Sequence, residues 1–308
     1  MTRVLCIVGP TASGKTALAL EVADRIGGEI VSADSRQIYR GLDVGTAKAT
    51  AAERARVPHH CVDLVDPGEP FDVARFRVAA AGAIAAIAAR GRVPIVVGGT
   101  GLYVRALLRG LCPAPPRAPA LRAELEAALA AEGSGALHRR LAAVDPAAAA
   151  RVAPRDTFRI VRALEVALAT GVPLSRWQAE HGFAERPYEA LVLGLARPMP
   201  ELDARIEARA NAMVAAGFLD EVRALAARGV VVDAVGYREM LACVEGRTDV
   251  ATAVAATVRA TRRFAKRQRT WFRREPGVVW HHPDADLDAI VATTTAFVAR
   301  PVTRVAHA

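Results

Sequence analysis

Apolar positions along the first hundred residues follow two alternating patterns. Short, unbroken, branched runs occur at residues 4–8 ("VLCIV"), 29–34 ("EIVSAD") and 93–101 ("VPIVVGGTG"), each bounded by glycine or polar residues. Such runs predict buried strands. Between them, Leu18, Val22 and Ile26 recur at helical spacing until Gly27 and Gly28 stop the run. An alanine-rich helical stretch covers about 73–90 and closes at Gly91. Strand–helix alternation of this kind predicts an α/β fold, a parallel sheet flanked by helices and joined by right-handed crossovers.

The pattern changes at the proline cluster "GLCPAPPRAP", residues 110–119. Alanine- and leucine-rich helical stretches follow, broken at "GSG" (133–135) and "DP" (145–146), and strand character returns with "ALVLGLAR" at 190–197. The expected organisation is a core of residues 1–111 and 190–308 carrying a mainly helical insertion domain at 112–189. Helices at about 200–228 and 250–274, a short strand at "VVWHH" and a terminal helix complete the core. No repeat of solenoid period is present.

Composition narrows the class. Hydrophobic residues make up 52% and charged residues 24% of 308, the ordinary balance of a soluble protein with a core large enough to need no staples. Four cysteines lie far apart with no CxxC pair, which excludes a zinc ribbon and suits reduced thiols. The apolar amino-terminal run is too short for a signal peptide, and no segment has the length of a membrane span. A cytoplasmic monomer is the expectation. The net charge of +9, with 38 arginines among the 41 basic residues, favours a polyanionic partner.

The run ending at residue 8 feeds directly into Gly9, Pro10, Thr11, Ala12, Ser13, Gly14, Lys15 and Thr16. This is G-x-x-x-x-G-K-[ST] between a strand and a helix, the P-loop in its required context. Its glycines let backbone N–H groups converge on phosphate oxygens at a helix N-terminus. Lys15 can reach those oxygens, and the Thr16 hydroxyl suits Mg²⁺.

The loop alone does not say whose phosphate it holds. A P-loop ATPase needs a second acid for Mg²⁺, and Asp34, Asp63 and Asp66 are all candidates. Asp34, Ser35, Arg36 and Gln37 lie together at the carboxyl end of a predicted strand, where open α/β sheets bind ligands. Ser35 and Gln37 could read a base edge, Arg36 could grip phosphate, and Asp34 could accept a proton from an amine. Thr100, in the turn "GGTG", could donate to a phosphate oxygen.

Taken together, "GPTASGKT", "SADSRQIYRGLDVGTAK", "VPHHCVDLVDP", "VVGGTGLYVRALLRG", "RIVRALEV", "AVGYREM" and "ATRRFAKRQRTWFRR" resemble the bacterial tRNA dimethylallyltransferases, also called tRNA isopentenyltransferases. The segments run in family order from residue 9 to 274. Two departures stand out: no proline follows Lys48, and Thr157-Phe158 replaces a common Pro-Gln. The resemblance implies a P-loop NTPase-like core that moves a dimethylallyl group from dimethylallyl diphosphate to N6 of the adenine beside the tRNA anticodon. Residues 9–16 would then hold the diphosphate, with Mg²⁺ at Thr16. Asp34 would be the general base, with Ser35 to Gln37 lining the approach of the base. Thr100 would contact the bridging oxygen, and Arg205, or else Arg209, the departing diphosphate. Arg122 and Phe158, Arg159, Ile160, Val161 and Arg162 would touch tRNA.

Residues 259–274 hold eight basic residues and no acid. Arg259, Arg262, Lys266, Arg269 and Arg273 form one helical stripe, expected to bind RNA phosphates through Arg262, Lys266 and Arg269 above all. Phe264 and Trp271, seven apart, are expected to face the core. The pairs His59-His60 and His281-His282 lack metal spacing and read as structural. Three rivals share parts of this pattern: a P-loop kinase of small metabolites, an adenylate isopentenyltransferase acting on AMP, and a nucleic-acid-binding module without catalysis. The insertion and the basic helix speak against the first two, and intact Lys15, Thr16 and Asp34 against the third.

Overall fold

The computed structural model describes residues 1–300; the last residues of the expected core, 301–308, lie outside the described residues. The chain opens with β1 (Thr2–Val8), α1 (Lys15–Ile26), β2 (Gly28–Ser32), α2 (Ala51–Arg56), β3 (His59–His60), α3 (Val73–Ala89), β4 (Val93–Gly98) and α4 (Gly101–Arg109). Four helices follow, α5 (Pro119–Val144), α6 (Pro146–Ala149), α7 (Thr157–Thr170) and α8 (Leu174–His181). The chain then adds β5 (Tyr188–Leu195), α9 (Met199–Ala215), α10 (Phe218–Ala227), α11 (Tyr237–Val244), α12 (Val250–Arg273), β6 (Val278–His281) and α13 (Leu287–Ala299).

The strands form one parallel sheet in the order β3-β2-β4-β1-β5-β6. In β1, Val4, Cys6 and Val8 point to one face, where they join Phe76 and Ile84 of α3 and Tyr103 and Leu107 of α4. Leu5 and Ile7 point to the other, against Leu18 and Val22 of α1 and Ile290 of α13. Period-two alternation with apolar residues at every position is what a strand covered on both faces requires. Because all six strands run the same way, the segments leaving β1, β2, β4 and β5 emerge at one edge of the sheet.

Several expectations shift in detail. The strand expected at 29–34 ends at Ser32, which leaves Asp34 beyond the ladder. The helix expected over 200–228 is two helices, because Gly217 turns left-handed (φ 93°) between α9 and α10. Helices α2 and α11 are short and carry too few turns to register as periodic. Strand β5 begins before residue 190, since Tyr188 pairs with Thr2.

The chain divides into two compact units, one of them Arg109–Glu185 and the other everything else. The smaller unit is helical, with α5 interrupted at Gly133 (φ 78°, ψ 166°) inside the expected "GSG" break. Leu125, Leu137, Leu141, Ile160 and Leu164 build its core. Beside them the buried carboxylate of Glu165 accepts from the Ala118 N–H at 3.0 Å, from Arg162 at 2.7 Å and from Arg122 at 3.4 Å. Among the described residues no helix is long and apolar enough to cross a membrane.

Phe272, near the end of α12, is 1% exposed and packs with the β1, α3 and α4 residues on one face of the sheet. Phe272→Ala should therefore destabilise the larger unit by about 3–5 kcal/mol, read as a lowered denaturant midpoint with an unchanged slope.

Candidate active site

Residues 9–14 wrap the carboxyl end of β1 and enter α1, with Gly14 left-handed (φ 98°) at the helix start, a conformation that costs glycine little. Three cations grip the carbonyls of this loop. Lys15 donates to Pro10 at 2.6 Å, Arg205 to Ala12 at 2.9 Å and Arg197 to Ser13 at 3.0 Å. With its carbonyls so engaged, the loop can turn N–H groups toward an anion. Arg209 donates to the Thr11 hydroxyl at 3.2 Å. Arg205 and Arg209 thus both reach the loop, from successive turns of α9.

Arg197 was not anticipated. It stands two residues after β5, is 5% exposed, and is balanced by Asp284 at 2.7 Å and by Glu201. Its place at the carboxyl end of a predicted strand was the available signal.

Asp34 follows β2 at the same edge. Its Oδ1 accepts N–H groups of Arg36 (2.8 Å) and Gln37 (3.4 Å), whereas Oδ2 has no protein partner among the described residues. Burial, reinforced by the charge of Arg209 and opposed by that of Asp34, pulls Lys15 down to about 7. Burial also lowers Arg209, again with Asp34 opposing. Thr100 sits next to Asp34, its hydroxyl accepting the Ser35 N–H at 3.0 Å.

A cavity of about 1400 Å³ runs from the P-loop along residues 40–54, and a second of about 340 Å³ opens toward Ser35, Arg36, Thr100, Gly236 and Tyr237. Thr11, Ala12, Asp34, Thr46, Arg209, Met213 and Phe264 line both, so the two chambers meet beside Asp34. The larger chamber supplies the apolar surface that sequence could not locate, in Val44, Ala212, Met213, Ala216 and Phe264. Its loop wall is fixed by Glu221 of α10, whose carboxylate accepts the N–H groups of Asp43, Val44 and Gly45 at 2.7–3.0 Å and the Tyr237 hydroxyl at 2.6 Å. Nothing in the sequence pattern marked Glu221.

Some expected roles change. The Gln37 amide accepts from Ser32 and donates toward the Thr46 and Ala47 carbonyls at 3.0–3.3 Å, so it braces a loop and is not free to read a base. Asp63 is held by Lys48 at 2.6 Å and Arg54 at 2.8 Å; burial raises its pKa, and these two partners more than offset that, keeping it ionised and occupied. Asp66 pairs with Arg40 at the surface. Both carboxylates are thus engaged by the protein's own cations. In the helical unit Ile160 and Val161 are buried in the core and cannot meet RNA. Phe158 is 61% exposed with Arg122 over its ring, and Arg159 is exposed beside Asp156.

On α12, Lys266 is exposed and Arg269 half-buried, but Arg262 is bound to Asp203 and Glu207 of α9. Trp271 packs on the core as expected. Phe264 instead lines the cavities, because the buried face of α12 runs through Ala265, Gln268 and Phe272. His60 pairs with Glu29 and His282 with Glu201. Among the described residues no group of three His, Cys, Asp or Glu side chains could hold a metal.

The IPP transferase family model matches residues 37–275 and the isopentenyl transferase model residues 2–58. The chain belongs to the IPP transferase family. Its relatives include the tRNA dimethylallyltransferase of Anaeromyxobacter dehalogenans (strain 2CP-C), 57% identical over 94% of this chain and 97% of that one. That of Geobacter metallireducens is 50% identical over 96% and 97%. Among solved structures, the full-length tRNA isopentenylpyrophosphate transferase of Bacillus halodurans superposes with a TM-score of 0.71 at 40% identity, covering 97% and 96% of the two chains. A eukaryotic dimethylallyltransferase acting on tRNA gives 0.81 at 25% identity, covering 99% and 81%. The two chambers and the cationic loop are the candidate active site of this IPP transferase.

Lys15 loses its proton near pH 7, so binding an anion above that pH must draw a proton back. The affinity of the protein for inorganic diphosphate should fall by up to about tenfold per pH unit between pH 7 and 9, relative to Lys15→Met, whose profile follows only the ligand's own titration. Parallel titration curves would mean that Lys15 stays charged throughout.

Proposed function

We propose that this IPP transferase moves a dimethylallyl group from dimethylallyl diphosphate to N6 of the adenine 3′-adjacent to the tRNA anticodon, releasing diphosphate. The observation that carries the reading is the meeting of two chambers at Asp34, one with a phosphate cradle and apolar walls, the other lined by Ser35, Arg36, Thr100 and Tyr237. The first matches an isoprenoid diphosphate and the second an extruded base. A base leaves its stack at a cost of a few kcal/mol, least in an irregular loop. A phosphorylating enzyme has no use for the apolar wall of Val44 and Met213, and an AMP-modifying enzyme none for the exposed Lys266 or the Phe158–Arg122 face of a helical unit.

In the reaction the exocyclic amine attacks the allylic carbon, the carbon–oxygen bond breaks, and the electron pair leaves with diphosphate. Asp34 Oδ2 accepts the proton released by the amine, while the two N–H groups on Oδ1 hold the carboxylate in place. Thr100 donates to the bridging oxygen as charge grows there. Lys15, Arg205, Arg209 and the N–H groups of residues 11–16 stabilise the departing polyanion, the larger share of such catalysis. Ser35 and Arg36 line the entrance for the base, and Arg122, Phe158 and Arg159 present a cation–aromatic surface to the anticodon stem-loop.

The cofactor in this reading is Mg²⁺. Thr16 lines the larger cavity, and Mg²⁺ needs few protein ligands, because it keeps most of its shell from water and phosphate oxygens. Bound there, it would neutralise charge on the diphosphate. We propose further that the enzyme works in the cytoplasm, as a monomer.

Incubation with labelled dimethylallyl diphosphate should put label into tRNA and none into AMP; label in AMP alone would refute the assignment. Asp34→Ala should lower turnover by about 10²–10⁴-fold with tRNA affinity nearly intact, and a rate near wild type would remove Asp34 as the base. Neutralising Lys266 and Arg269 together should weaken tRNA binding and flatten its logarithmic salt dependence by about 0.7 for each RNA phosphate that the protein then leaves unneutralised. Arg262→Ala should do less, because Asp203 and Glu207 already occupy that guanidinium; an equal effect from all three would show that the ion pair opens on binding.

A further inference from the structure

Gln268 lies between Arg267 and Arg269 in the most basic stretch of the chain, yet it is only 7% exposed. Its Oε1 accepts the Thr11 N–H at 2.8 Å, and its Nε2 donates to the Gly99 carbonyl at 3.0 Å. One partner can only donate and the other only accept, so the network fixes the orientation of the amide. Thr11 belongs to the P-loop, and Gly99 directly precedes Thr100. The ladder between β1 and β4 ends at the pair Val8 and Gly98. Beyond that register Gln268 ties Gly99 to Thr11, two residues further along the P-loop than Gly9.

We propose that Gln268 is a positioning residue for prenyl transfer, holding the phosphate cradle and the Thr100 turn at a fixed separation so that the leaving oxygen meets its donor. The inference rests on the prenyl-transfer reading above. It does not require Gln268 to touch either substrate. Its action is geometric: the diphosphate is fixed by one backbone segment and the bridging oxygen by the other, and an error of about 1 Å between them can cost about 10²-fold in rate. A passive filler of the core would need neither hydrogen bond, and an apolar residue would serve the buried face of α12 better.

The test compares Gln268→Glu, Gln268→Ala, Gly99→Ala and the double variant Gly99→Ala/Gln268→Ala, measuring kcat and the KM for tRNA with labelled donor, alongside melting midpoints. Gln268→Glu keeps the shape and the acceptor for Thr11 but sets a second acceptor against the Gly99 carbonyl. It should lower kcat by about 10- to 100-fold and leave the KM for tRNA within about twofold. A methyl group at Gly99 would lie 2.2 Å from Nε2 and displace the amide, so Gly99→Ala should produce a similar loss. Gln268→Ala removes the severe clash and leaves the Gly9 carbonyl, at 3.3 Å, as the methyl group's closest contact, so the double variant should lose little more kcat than Gln268→Ala alone, because both changes cut one link. Wild-type kcat in Gln268→Glu, or losses that multiply in the double variant, would overturn the proposal. Should Gln268→Ala be too unstable to assay, Gln268→Glu decides by itself. Failure of the underlying reading has a different signature, since the wild-type enzyme would then transfer no label to tRNA.

Discussion

Like charges gathered around one loop are the constraint on which this molecule is built. Lys15, Arg205 and Arg209 converge on residues 10–12. Among the described residues the one carboxylate acting on Lys15 and Arg209 is Asp34, whose charge opposes the lowering of both. On the reading proposed above this charge awaits a diphosphate, with Lys15 reaching its full share only as the anion binds. The fold holds it by giving each cation a backbone carbonyl or hydroxyl in place of a carboxylate, which would compete with the ligand. Where an acid is used, at Arg197 with Asp284 and Glu201, the guanidinium supports the loop through the Ser13 carbonyl. What each cation is paired with therefore sets Arg197, which braces the loop, apart from the three proposed to face the anion.

That distinction also explains what sequence could disclose. The strands β1, β2 and β4, the P-loop and Asp34 were legible because local chemistry dictates them: branched apolar runs bury on both faces, and phosphate cradles need glycine and a helix start. Lys48 was equally visible as part of "GTAK", yet its task, clamping Asp43 and Asp63 at 2.5 and 2.6 Å, depends on residues brought in by the tertiary fold. Glu221 lies 176–178 positions from the three N–H groups it accepts, and no local period encodes such a contact. The family resemblance brought α9 into the site and gave Thr100 a sharper role before geometry did, but it named residues by motif and could not separate a free side chain from one already engaged, as Gln37 shows.

The basic helix illustrates the same limit in another form. Eight positive charges in sixteen residues read as a single electrostatic surface, but a helix has several faces. One face of α12 meets α9 through Arg262, another carries Lys266 outward, and a third buries Ala265, Gln268 and Phe272. The signal for the buried face was present, since Ala265, Gln268 and Phe272 fall at i, i+3 and i+7. A glutamine on an apolar face is expensive unless both ends of its amide are satisfied, which is itself a reason to look for two partners.

These faces belong to one rigid rod, and that has a mechanical consequence for the enzyme. The same helix carries exposed cations, lines both chambers with Phe264, ties Thr11 to Gly99 through Gln268, and anchors in the sheet core through Phe272. An α-helix rises about 1.5 Å per residue, so Phe264, Lys266, Gln268 and Phe272 lie within roughly 12 Å of one another along its axis. Close-packed interiors transmit small displacements with little loss. On the reading proposed above, any force that a bound polyanion exerts on Lys266 is thus borne by the segment that ties Thr11 to Gly99, and it is resisted by the anchorage of Phe272 one turn further on.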